Sequence, residues 1–123
     1  MNRWVGRWII LVGLIHCVFG AVIFIEPLSG IVRDGIWNAV DGHPGRSVAF
    51  WFEFFGMLTI LFGAAVDQLE KGQHEFPAFL TYGFSFFTLL VIIAMPISGG
   101  WLMIPAVVGL LMKATKMPKR AGP

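Results

Sequence analysis

The stretch Phe76–Met112, FPAFLTYGFSFFTLLVIIAMPISGGWLMIPAVVGLLM, runs for 37 residues without a formal charge. As one α-helix it would measure about 55 Å at 1.5 Å per residue, against roughly 30 Å of bilayer hydrocarbon. A break is written into it at Met95-Pro96-Ile97-Ser98-Gly99-Gly100, where proline removes a backbone donor and the glycine pair permits a tight turn. The stretch therefore reads as a hairpin of two apolar helices, about 76–95 and 100–115, with Trp101 beside the turn at the level of a membrane interface.

Upstream, Trp8–Ile25 offers 18 uncharged residues between Arg7 and the Glu26-Pro27 pair, and Ser47–Val66 a further 20 interrupted only by Glu53. Each is long enough to cross a bilayer. Arg3 and Arg7 would also suit a secretory signal, but the apolar run is long and no small-x-small cleavage site follows it. With 57% hydrophobic and 13% charged residues, a soluble domain of this size could not hide its apolar surface, because soluble chains carry roughly 25% charge. The expected fold is all-α: one domain, 1–123, forming a four-transmembrane-helix bundle with spans near 8–25, 47–66, 76–95 and 100–115. Residues 118–123 read as a basic tail.

Orientation follows from the basic residues. Arg3, Arg7, Lys71, Lys113, Lys116, Lys119 and Arg120 fall at one end of the spans, and Arg33 and Arg46 at the other. The richer end is expected in the cytoplasm, which puts both termini inside. Between the first two spans, Leu28, Ile31, Val32, Ile36 and Val40 recur at helical spacing, which predicts a short amphipathic helix lying in the interface. Asp41-Gly42-His43-Pro44-Gly45 is turn chemistry leading into the second span.

Gly6, Gly13 and Gly20 stand seven apart, as do Ala49, Gly56 and Gly63. Seven residues are nearly two helical turns, so each set lines a narrow stripe along which two membrane helices can approach closely. His16 and Glu53 sit on these stripes and are expected to face each other. Ionisable groups at membrane depth are costly and so point to function, and a Glu and His sharing a proton suit acid–base catalysis. The competing reading is structural glue across a helix pair. Thr81, Ser85 and the adjacent Tyr82 would orient a substrate, unless the hydroxyls only bond back to their own helix. Trp51 and Trp101 add aromatic surface for a lipophilic ligand.

Other classes are excluded. The basic residues lack the interleaved aromatics of a nucleic-acid surface, the single Cys17 allows no intramolecular disulfide, and two ligands fall short of the three or four a metal site needs. No haem or flavin motif is present, so no cofactor is expected. Membrane lipid and a lipophilic small molecule are the expected partners, with oligomerisation left open.

Asn2–Gly20, Arg46–Gly63 and Met95–Leu111 together resemble a family of small bacterial four-helix membrane proteins of unknown function. The resemblance implies the topology and a bacterial inner membrane, and no activity. His16 is typical of that pattern, whereas an apolar residue is expected where this chain has Glu53. Two functions follow: an intramembrane isomerase or cyclase acting on a lipophilic small molecule, with Glu53 as acid or base and His16 its partner; or a non-catalytic protein, a transporter-like binder or helper subunit of a membrane complex.

Overall fold

The computed structural model describes residues 2–116. These form five α-helices and, among the described residues, no strand: α1 Val5–Ile23, α2 Ile25–Arg33, α3 Pro44–Lys71, α4 Ala78–Ala94 and α5 Ile104–Lys116, with a 3-10 segment, Gly99–Met103, leading into α5. Two of them, α1 and α3, are long and apolar enough to cross a membrane, while α4 is equally apolar but has 17 residues. The basic tail expected at 118–123, with Lys119 and Arg120, lies outside the described residues.

The helices start and stop where local chemistry dictates. Pro44 stands at the first position of α3, where its missing N–H costs nothing. The helix expected to run through Ile36 and Val40 instead ends at Arg33. Gly35 takes φ +85°, its amide bonds to Val32 O at 3.1 Å, and the Ile36 amide reaches back to Ile31 O at 3.0 Å. That pair of bonds is a Schellman stop, which a glycine one residue past the cap favours. Ile36, at φ +70°, leaves the helical path although its apolar spacing continues it. Spacing alone was outweighed by the glycine.

α1 and α3 lie antiparallel and in contact over most of the length of α1. A methyl added at Gly6 would sit 2.3 Å from the Asp67 amide nitrogen, at Gly13 2.7 Å from an Ile60 side-chain carbon, and at Gly63 2.8 Å from the Ile10 amide nitrogen. The seven-residue stripes thus form the seam, with Ala49 fully buried in the same line. The larger core gathers at one end of the bundle, where Val5, Ile9, Val66, Phe76, Ala106 and Leu110 pack together with Trp8, Phe62 and Phe84 at their edge. All four long segments meet there.

Candidate functional site

His16 and Glu53 both lie in the part of the α1–α3 seam remote from this core, but they do not bond to each other. The His16 ring stacks on Phe52 with centroids 3.9 Å apart and planes 12° from parallel, and Phe55 meets it edge-on at 5.7 Å. Its Nε2 lies 2.9 Å from the Phe52 carbonyl oxygen. A carbonyl can only accept, so Nε2 carries the proton. The Glu53 carboxylate turns toward α1, where its Oε1 is buried with no hydrogen-bond partner. A methyl on Gly20 would lie 2.1 Å from that oxygen. Cys17, beside His16, points its thiol at the Glu53 backbone carbonyl at 3.9 Å. The expected face-to-face pair is therefore corrected: both groups belong to one seam, but Phe52 occupies the imidazole and glycine backbone closes over the carboxylate.

The residues expected to orient a substrate do not converge on this pair. Thr81 is fully buried and its Oγ1 has no partner, while Ser85 donates back to the Thr81 carbonyl at 2.7 Å, the local bond by which helical hydroxyls satisfy themselves. Tyr82, Trp51 and Trp101 are all more than half exposed, and the Trp101 indole donates to Pro96 O at 2.9 Å. α4 packs on α5 and makes no backbone approach to α1 or α3; it meets α3 through the Phe62–Phe84 stack, with centroids 4.9 Å apart. Two surface concavities stand out. One lies over the turn at Val40–Pro44 and Ser47, the other is an apolar groove along Leu14, Ile15, Val18, Phe19 and Val22. Neither is lined by His16, Glu53, Thr81 or Ser85. Among the described residues no cluster of His, Cys, Asp and Glu could hold a metal.

A polar cluster that the sequence reading passed over sits at the other end. Glu70 on α3 has a fully buried side chain and accepts the backbone N–H groups of Val5 at 3.2 Å and Gly6 at 2.9 Å. These are the first amides of α1, which no helical carbonyl can satisfy, and a carboxylate there also meets the positive end of the helix dipole. Lys113 on α5 pairs with Glu70 and donates to Asn2 O. One turn along α3, Asp67 pairs with Arg3 at 2.7 Å and Arg7 at 3.6 Å. Glu70 and Lys113 were visible only as charges flanking apolar runs. Their pairing requires three helices to be assembled, so no local signal marks it.

A model of a family of unknown function, DUF6463, matches residues 1–117. The chain belongs to that family. For this DUF6463 member the match covers all of the described residues, from the Glu70–Lys113 cluster to the His16 seam, and the family description carries no activity. No curated protein and no solved structure matches the chain.

Proposed function

We propose that this protein is an integral membrane protein with its termini in the cytoplasm, and that it works without catalysis, as a helper subunit within a larger membrane assembly. In this reading α1 and α3 cross the bilayer and the α4–α5 hairpin completes a four-helix membrane bundle. Support for the membrane comes from the apolar side chains left outward along α1, α3 and α4, among them Val18, Val22, Leu61, Phe79, Phe87 and Ile93, each about two-thirds exposed. Lipid is the solvent that accepts such a surface. Support for the orientation comes from the end where α1 begins and α3 and α5 finish, which gathers Arg3, Arg7, Lys71, Lys113 and Lys116.

The single observation that carries the non-catalytic reading is the closeness of the seam at Gly20 and Gly56. A methyl on Gly56 would sit 2.5 Å from the Cys17 sulfur and 2.9 Å from the His16 ring, so a substrate has no space between the two helices beside the ionisable groups. The test is to extract a tagged full-length chain from its host membrane in mild detergent and measure the mass of the particle it travels in. A particle several times heavier than the 13.6 kDa chain with other proteins in fixed proportion is the expected result. A homogeneous particle containing this chain alone would sink the proposal.

One observation favours a second reading. The Glu53 Oε1 is buried without a hydrogen-bond partner, and an unpartnered carboxylate oxygen is the kind of group that acid–base chemistry on a lipophilic molecule uses. Under that reading Glu53→Gln abolishes turnover of an isoprenoid-like or sterol-like substrate by purified, folded protein. Under the helper reading, Glu53→Gln leaves the assembly intact.

A further inference from the structure

The contacts of the C-terminal hairpin place it along one half of the α1–α3 pair. α4 has 17 residues, about 25 Å of helix at 1.5 Å per residue, against roughly 30 Å of hydrocarbon. The hairpin touches α1 at its start: Lys113 on Asn2, Gly109 against the Trp4 and Val5 side chains, and Leu102 O accepting the Trp8 indole at 2.7 Å. Leu102 already lies near the turn of the hairpin, so the turn stands only a short way beyond Trp8. Further along the same face of α1, Ile15 and Val22 follow Trp8 at seven and fourteen residues and line the open apolar groove.

The turn itself is made for an apolar setting. Residues 95–103 carry no charge, whereas the connection from Asp34 to Arg46 carries Asp34, Asp41, His43 and Arg46. Trp101 gives its indole N–H to Pro96 O at 2.9 Å and Ser98 accepts the Gly100 amide at 3.2 Å, so both side chains spend their polar atoms on the turn's own backbone. Ile97 at the tip is completely exposed and Met95 more than half exposed.

We infer that α4 and α5 form a re-entrant hairpin, which enters from the side holding both termini and turns back within the bilayer. Its tip, Met95, Ile97 and Trp101, contacts lipid acyl chains. Acyl chains of the opposite leaflet stand above the tip, in the groove of Ile15, Phe19 and Val22. The inference rests on the membrane reading above and seats its hairpin at half depth, in place of the third and fourth crossings expected from the sequence.

Single cysteines in a Cys17→Ala background test it in the full chain, at Asp41→Cys in the outer connection, Gln73→Cys in the α3–α4 connection and Ile97→Cys at the tip. A membrane-impermeant maleimide is added to intact cells or to inverted vesicles. Asp41→Cys is expected to react only from outside, Gln73→Cys only in inverted vesicles, and Ile97→Cys from neither side until detergent denatures the protein. Labelling of Ile97→Cys from outside at the Asp41→Cys rate would overturn the inference in favour of full crossings. Labelling from inside at the Gln73→Cys rate would overturn it by removing the hairpin from the bilayer. If Asp41→Cys resists the reagent outside, the two-crossing reading itself fails. As an independent measurement, a nitroxide on Ile97→Cys in phosphatidylcholine–phosphatidylglycerol vesicles should be relaxed by oxygen and sheltered from a water-soluble nickel chelate. A label relaxed by nickel as strongly as one at Gln73→Cys also overturns it.

Discussion

Glu70 accepts the backbone N–H of Gly6 at 2.9 Å, so a buried carboxylate near the end of α3 caps the start of α1. Because Lys113 closes the same carboxylate from α5, this contact ties together three segments far apart in sequence. Removing one partner of a buried ion pair strands the other and typically costs about 3–5 kcal/mol. Glu70→Ala should therefore lower the thermal unfolding midpoint in detergent markedly. Replacing both members, Glu70→Leu with Lys113→Leu, should recover part of the loss, because no buried charge is left unpaired. A double variant no better than Glu70→Ala would show that the capped amides, and not the stranded lysine, set the cost.

The seam predicts which glycines tolerate a methyl. Gly6→Ala drives a carbon to 2.3 Å from the Asp67 amide nitrogen, whereas Gly83→Ala meets nothing within 4 Å. Gly6→Ala should destabilise by about 1–3 kcal/mol, the usual cost of overpacking. Gly83→Ala should be neutral or stabilising by up to about 1 kcal/mol, the helix-propensity difference. Paired thermal melts of the two variants check both signs.

His16 should hold its proton on Nε2 and its ring on Phe52. Nitrogen NMR of labelled protein should report Nε2 protonated at neutral pH, since the Phe52 carbonyl it faces can only accept. His16→Phe keeps the stack and loses one hydrogen bond, about 1 kcal/mol. His16→Ala loses the ring as well and should cost about 3 kcal/mol or more, the scale of aromatic truncation in a packed site. Equal melting points for the two variants would refute the stacking role.

The connection between α2 and α3 carries the clearest pH dependence. Arg46 pairs with Asp34 at 2.8 Å and donates to Ala39 O at 2.8 Å. Its hydrogen bond and charge hold the Asp34 carboxyl below the ordinary carboxylate value. A depressed carboxyl stabilises the fold fully above its unfolded value, about pH 3.9, and that contribution is lost as pH falls through the lower folded value. Amide exchange at Ile36–Ala39 should therefore be slow and pH-independent in its protection near neutrality and lose protection below about pH 4. Arg46→Gln should remove the difference.

Much of this architecture is legible in the residues alone, for local reasons. Apolar run lengths and the Met95–Gly100 break place the helices, and the seven-residue glycine spacing marks the seam, because periodicity is a property of one helix at a time. The stop at Gly35 was also legible, although the apolar spacing through Val40 masked it. The site was less so. His16 and Glu53 were correctly assigned to the seam, yet their partners depend on side-chain directions that spacing does not specify, and Phe52 took the place expected for Glu53.

What the sequence by itself determined is an all-helical chain, which helix faces are small, and how charge divides between the two ends. What only the tertiary structure decided is where those faces meet. The capping of α1 by Glu70, the separation of Thr81 and Ser85 from His16, and the packing of the α4–α5 hairpin against the start of α1 all depend on the relative placement of helices. That placement is set by packing volume and by the satisfaction of buried polar groups across segments up to 111 residues apart, as Lys113 and Asn2 are. A local pattern constrains neither.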